Sequence, residues 1–367
     1  MKIKNFSPRD FFDRNPQALK VLKVVSIILV LIIGAFMVIA GINYYTWDLF
    51  IVRASKSIVD GLALSMLLFL MVSGFYLVFG LCGVINFAHG SFFMLGGFMG
   101  FMIYLGTEAA LLDPTNPFFY IFGANPTAIS IIAFILSAFG AMIVLALIGG
   151  GIEYFTIRRL YGNVLAQILL TVGFMFVISQ SSQIIWGSLV TYYLVPSSQL
   201  NYFFISGNLN LGGALIFDFY RIFLIFVGLS VAAIMFIAFQ KTRIGLQIQA
   251  GIEDSEMVEA LGTNIRRLFT IVFMLGAGLA GFSGAVLVPW IGANTGYGLT
   301  YLIFAFVIVV VGGAHYGRFE GTFFGAIIVG LSMQFSAYFA PFLEGIIVFI
   351  LMAAILILKP GGLTGHG

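Results

Sequence analysis

The sequence predicts an all-α fold, a polytopic membrane helix bundle of about nine to ten transmembrane helices with both termini in the cytoplasm. Three observations predict it. Only 8% of the 367 residues are charged, whereas soluble domains carry about 25%. The apolar residues, 61% of the chain, gather in charge-free runs at 61–107, 114–152, 160–217, 222–240, 268–317 and 321–343. The Lys and Arg residues between these runs fall mostly in alternate loops. A membrane β-barrel would instead show alternating segments of about ten residues, and the chain has no such pattern.

A helix needs about 20 residues to cross the hydrocarbon core. The runs at 61–107 and 268–317 therefore each hold two spans joined by an uncharged turn. In order, the spans are 24–45, 59–80, 89–106, 128–150, 164–187, 216–240, 268–291, 298–313, 321–338 and 342–358, the last three being the shortest segments. With the N-terminus inside, the inner loops hold Lys2, Lys4, Arg9, Arg14, Lys20, Lys23, Arg158, Arg159, Lys241, Arg243, Arg266, Arg267, Arg318 and Lys359. The outer loops hold only Arg53, Lys56 and Arg221. Fourteen against three places the termini and the 241–267 loop on the cytoplasmic side. The formal charge of +3 reflects this asymmetry and gives no support for a nucleic-acid partner.

The stretch 24–45 is too long for a signal-peptide core of about 7–15 residues, so it reads as a retained span. Residues 1–58 form a cytoplasmic tail plus this extra helix, and 59–367 form one transmembrane domain with the cytoplasmic loop 241–267. Outside lie 107–127, with Pro114, Pro117 and Pro126, and 188–215, which has room for a short hairpin or an interfacial helix. Cys82 is the one cysteine, so no internal disulfide forms. Glycines cluster at Gly96, Gly97 and Gly100, at Gly276, Gly278, Gly281 and Gly284, and at Gly321 and Gly325. Between membrane helices, small residues permit the close backbone approach that drives association. A weak echo links Ala88-His89-Gly90 with Ala314-His315-Tyr316-Gly317.

Two segments stand out as candidate functional sites. The turn 83–90 (G-V-I-N-F-A-H-G) places Asn86 and His89 three residues apart in a run without charge. Polar groups near membrane depth are costly unless paired or lining water. The turn therefore reads as a satisfied polar turn at the inner surface or as a pore-lining gate. The loop 241–267 carries 8 of the chain's 31 acidic and basic residues. Asp254 or Ser255 suits a helix N-cap and Gly262 the residue after a helix C-terminus. Met257, Val258 and Leu261 make an apolar stripe between them. So short a helix needs a surface on which to bury that stripe, either on this chain's own spans or in a partner's groove.

Gly281-Phe282-Ser283-Gly284 matches the G-x-S-G of rhomboid-type intramembrane proteases, but a serine nucleophile needs a base within reach. The histidines, His89, His315 and His366, sit at predicted turns or the terminus. No intramembrane carboxylate pair suggests an ion relay, no metal-ligand spacing occurs, and no phosphate-binding loop is present.

Three blocks carry a resemblance to a known family. They are Gly83 to Gly90; Glu253-Asp254…Met257…Leu261-Gly262-Thr263-Asn264; and Val311-Gly312-Gly313 with Gly321-Thr322-Phe323-Phe324-Gly325-Ala326. Ile152-Glu153 with Arg158-Arg159 adds a fourth, shorter match. In order and spacing, from about 59 to 363, the chain resembles the permease subunits of branched-chain amino acid ABC importers, in particular the H-type subunit. It departs from them at Ser91, where the family commonly has Glu, at Leu246 and Gln249, where it commonly has basic residues, and at Arg159-Leu160-Tyr161, which lacks the usual proline. Urea and short-amide permeases share the scaffold.

The resemblance implies a non-enzymatic transport subunit with no cofactor of its own. ATP-Mg would sit on two cytoplasmic ATP-binding subunits, with a second related permease and an external substrate-binding protein completing the system. It implies ATPase coupling through Glu253, Asp254, Glu256, Met257, Ala260, Leu261, Gly262, Asn264 and Arg266. It makes Gly83, Asn86, His89 and Gly90 candidates for the substrate path or gate. A bacterial or archaeal cytoplasmic membrane is the implied location.

Overall fold

The structure is a computed structural model that describes residues 27–28, 34, 47–116, 126–187, 191–192, 208–210, 216–253, 255–260, 262–313 and 319–363. Nearly all of them are helical. The helices are α1 (Trp47–Cys82), α2 (His89–Leu112), α3 (Pro126–Phe155), α4 (Val164–Trp186), α5 (Phe219–Lys241), α6 (Arg243–Glu253), α7 (Ser255–Ala260), α8 (Ile265–Ile291), α9 (Tyr297–Gly312), α10 (Phe319–Phe339) and α11 (Ile347–Leu358). Seven are long and apolar enough to cross a membrane: α1, α2, α3, α4, α5, α8 and α10. The shorter apolar helices α9 and α11 match the eighth and tenth spans read from sequence. The first, 24–45, lies almost wholly outside the described residues.

Helices α1 and α8 form the centre. In their apolar windows 89% and 83% of residues are buried, against 11% for α4 and 22% for α5. Helix α8 packs on α1, α2 and α3, and α1 packs on α10 and α5. The outer faces of α3 and α4 present Leu136, Phe139, Ile143, Leu147, Leu169 and Phe176. An apolar exterior around a buried interior is what a lipid solvent selects. Helix association there rests on close packing rather than on exclusion of water.

The glycines supply that packing. Gly74 of α1 and Gly276 of α8 sit backbone against backbone: a Cβ on Gly276 would lie 2.7 Å from the Gly74 carbonyl oxygen and 2.7 Å from Val78 Cγ2. The three glycine groups noted in the sequence fill similar crossings, Gly96 on Gly281 and Gly312 on Gly321 among them. Ser283 lies at one of these contacts, buried, and its hydroxyl donates to the Leu67 carbonyl at 3.1 Å. That hydroxyl is a clamp between α8 and α1, with no histidine bonded to it among the described residues.

Helix α1 runs unbroken from Trp47, so the boundary expected at 58/59 falls inside a helix. At the end of the bundle away from the 241–267 loop, charges tie four helices together. Arg221 of α5 pairs with the buried Asp60 of α1 and with Asp218 at 2.8 Å. The Tyr338 hydroxyl of α10 donates to Asp60 at 2.6 Å, and the guanidinium lies 5.3 Å from the ring centre of Trp290 on α8. The 188–215 loop contributes to two small sheets. Thr191–Tyr192 pairs antiparallel with Ala293–Asn294, and Asn208–Asn210 pairs antiparallel with Ile216–Asp218, strand pairing rather than the interfacial helix that was the other alternative for this stretch.

Candidate functional site: a helical loop and a break between helices

The loop 241–267 folds into two short helices, α6 and α7, where the sequence pointed to one. Helix α6 docks on α5 and α1, burying Ile248 and leaving Leu246 58% exposed. Gly245 fits against the Ala238 and Phe239 backbone at the turn between α5 and α6. Helix α7 is anchored by Val258, 6% exposed, while Met257 is 58% exposed and Glu259 and Ala260 are also exposed. The expected apolar stripe is therefore divided: Val258 packs on this chain and Met257 faces outward. Glu253 ends α6 and Glu256 lies on α7, while Asp254 and Leu261 fall outside the described residues.

The end of α7 is closed by hydrogen bonds. Gly262, at φ +88, donates its N–H to the Glu259 carbonyl at 2.9 Å, and Thr263 N–H reaches the Val258 carbonyl at 3.2 Å. This pair of bonds is the Schellman arrangement, which wants glycine at the left-handed position. Two residues on, the Asn264 side chain caps α8 by accepting from Arg267 N–H at 3.0 Å. The α7–α8 junction is thus rigidly specified by Gly262 and Asn264.

The loop is braced from α3. Glu153 is fully buried and accepts from Arg158 at 3.4 Å and from the Tyr161 hydroxyl at 3.1 Å. Arg158 also donates to the Arg266 carbonyl at 3.3 Å and to the Thr270 hydroxyl. Burial first, then the nearby Cys82 and Glu153 groups, push the Tyr161 phenol well above its ordinary range, so it remains a neutral donor. Arg266 itself is exposed. The sequence marked Glu153 and Arg158 as part of a resemblance; the structure gives them a function, a buried carboxylate holding the arginine that grips the start of α8.

The second site is the break between α1 and α2. Gly83, at φ +63, ends α1, and the chain then runs without helix to His89. The break does not stay at the membrane surface. The His89 Nε2–H donates to the Met71 carbonyl at 3.0 Å, and Met71 lies 11 residues before Cys82, about 16 Å along α1. Thr171, two turns into α4, donates to the Ile85 carbonyl at 3.3 Å, and Ser91 reaches Met175 O and Ser179 Oγ at 3.3 Å each. The segment 83–88 therefore climbs along α4, and α2 starts near mid-depth. The sequence placed these residues at an inner-surface turn; the contacts place Asn86 and His89 inside the bundle, 1% and 0% exposed.

The Asn86 side-chain oxygen accepts from Ala88 N–H at 3.0 Å, and the His89 N–H donates to the Asn86 carbonyl at 3.2 Å. Asn86 Nδ2 and His89 Nδ1 have no partner among the described residues. A buried unpaired polar group costs about 1–3 kcal/mol, so each needs a reason. Gly90 allows the next contact: a Cβ there would strike the Gly298 carbonyl oxygen of α9 and lie 2.7 Å from Leu302 Cβ. Gly298 in turn sits beside Ser91 and Met94, and the Phe93 and Tyr301 rings are 4.5 Å apart. The first turns of α2 and α9 thus lie side by side.

The two starts are built alike. Asn294 lies three residues before Tyr297, as Asn86 lies three before His89, and its side chain accepts from Gly296 N–H at 2.7 Å. Each follows a long central helix ended by a glycine at positive φ, Gly83 or Gly292. Residues 86–90 read N-F-A-H-G and 294–298 read N-T-G-Y-G. This is the internal correspondence the sequence held. The weaker echo at Ala314 to Gly317 lies outside the described residues. The structure does not join the two sites: the α1–α2 break is at mid-depth, while α6 and α7 lie at the end of the bundle.

The comparisons agree with this architecture. The family model for the permease component of branched-chain amino acid transport systems matches residues 57–356. The chain is 26% identical over 317 residues to the high-affinity branched-chain amino acid transport system permease protein BraD of Pseudomonas aeruginosa, covering 85% of this chain and 95% of that one. It is 26% identical to the permease protein LivH of Salmonella typhimurium, covering 84% and 94%, and 24% identical to a probable LivH of Methanocaldococcus jannaschii, covering 84% and 92%. No solved structure gives a significant match. With most of its length inside the matched region and its apolar helices in the same stretch, this multi-pass membrane protein belongs to the family of branched-chain amino acid transport system permease components.

Proposed function

We propose that the chain is the permease subunit of an ABC importer that carries branched-chain, hydrophobic amino acids into the cytoplasm. The observation that carries this reading is the family match over 57–356. The bundle supports it. A glycine-packed interior with a mid-depth break offers a path, and a two-helix loop at one end offers a handle.

One of the two ATP-binding subunits docks on α6 and α7, with Glu253, Asp254, Glu256, Met257, Ala260, Leu261, Gly262, Asn264 and Arg266 as the contact region. Exposed Met257 and Leu246 supply the apolar surface, and Val258 and Ile248 transmit the force to α1 and α8. A second permease and an external binding protein complete the complex in the cytoplasmic membrane. Gly83, Asn86, His89 and Gly90 line the path. ATP-driven closure of the partner subunits moves the loop, and the bracing of Arg158 on Arg266 and Thr270 passes that movement to α8 and α3.

Reconstitution tests this reading. The complete complex in proteoliposomes should accumulate leucine, isoleucine or valine only with ATP on the loop side. Uptake that follows an ion gradient without ATP would overturn it.

A further inference from the structure

The break between α1 and α2 holds two unused polar atoms of opposite character. Asn86 Oδ1 is fixed by the Ala88 N–H, so its free end is the donor Nδ2. His89 Nε2 faces the Met71 carbonyl, which only accepts; the ring proton is therefore on Nε2, and the free Nδ1 is an acceptor. Both residues are buried and lie within one turn of the start of α2.

That helix start is itself uncompensated. No acidic residue stands in its first turn, and Ala88 gives no side-chain cap. The Gly90 and Ser91 N–H groups have no acceptor among the described residues. Helix α9 begins alongside, also without an acidic residue in its first turn. Two positive helix ends near each other in a low dielectric favour a bound anion. Beside His89 stands Phe75, ring centres 5.4 Å apart, an apolar wall against which an aliphatic side chain packs.

We propose that this break binds the head group of an amino-acid zwitterion. The α-carboxylate accepts from Asn86 Nδ2 and the first-turn N–H groups of α2, and the α-ammonium donates to His89 Nδ1. A donor and an acceptor within one helical turn match the two ends of a zwitterion, and the two positive helix starts favour its carboxylate over the neutral carbonyl of an amide. Helix α4 covers the site through the two 3.3 Å contacts of Ser91 with Met175 and Ser179, which part when the path opens. The inference rests on the substrate class proposed above.

The test uses the complete complex in proteoliposomes with radiolabelled leucine as probe. Asn86→Asp keeps the oxygen that accepts from Ala88 N–H and adds a charge that favours the helix start. The added carboxylate repels a bound α-carboxylate, and the amount of protein in the membrane reports separately the cost of burying it. Asn86→Ser also keeps an acceptor and removes the donor. Both variants should reach the membrane in wild-type amount, while leucine uptake falls at least about tenfold, the loss of one charge-assisted hydrogen bond. Wild-type uptake by both variants would overturn the site and leave the proposed function standing. If one variant fails to insert, the other decides on the same criterion. A wild-type complex that transports no branched-chain amino acid with ATP would overturn the proposed function, and this site with it.

Discussion

Alanine at Gly74 tests whether the two central helices are held at backbone contact. A methyl there meets the Gly276 carbonyl oxygen well inside contact distance, with the carbonyl carbon at 3.1 Å and Cα at 3.2 Å. All three atoms are backbone, so no rotamer change relieves the clash, and α1 and α8 must move apart. Elsewhere in a helix, Gly→Ala gains up to about 1 kcal/mol. Overpacking a core costs about 1–3 kcal/mol. At Gly74 the clash wins, and Gly74→Ala should lose about 1–2 kcal/mol net. Gly173 on α4 is the control: it is exposed, and a methyl added there would meet nothing within 4 Å, so alanine should be neutral or stabilising. Thermal unfolding of the two purified variants in one detergent reads both. A Gly74→Ala protein that melts at or above wild type would refute the close-contact account.

Two further substitutions probe other joints. Arg221→Ala leaves buried Asp60 with the Tyr338 hydroxyl as its one partner among the described residues, and should cost about 3 kcal/mol, the lower end for a broken buried pair because Arg221 is partly exposed. Adding Asp60→Asn should recover part of the lost melting temperature, and no recovery would contradict the pairing. Ser283→Ala removes the bond to Leu67 O and should cost about 1 kcal/mol with transport retained. Loss of transport at unchanged stability would point to a chemical role for that hydroxyl.

The span pattern was legible because charge is excluded from lipid. The reading 164–187 became Val164–Trp186, and 268–291 became Ile265–Ile291. Two ends moved: 89–106 extends to Leu112 past Glu108, which is buried and accepts from the Tyr104 and Ser130 hydroxyls, and the span read as 342–358 is α-helical only from Ile347, after a short turn at Pro341–Leu343. The depth of 83–90 was not legible, since a charge-free run carries no mark of where the chain turns. The signal was the pair Asn86 to Gly90 and Asn294 to Gly298, two short matches far apart in sequence. Gly262 was legible as the residue after a helix end and forms that cap, whereas Asn264, marked only through the resemblance, turns out to cap α8. The service of Glu153 and Arg158 as a brace needed three-dimensional contacts between α3 and α8, which no local pattern encodes.

The central claim is that force enters through α6 and α7. Its most direct measurement is ATP-driven leucine uptake by the complete complex carrying Glu256→Arg with Met257→Arg. The exposed Met257 faces away from the bundle, so an arginine there should leave folding intact, and the amount of the double variant in the membrane is measured alongside uptake. The account predicts that uptake is abolished and that ATP hydrolysis is uncoupled from transport. Wild-type uptake by that double variant would contradict it.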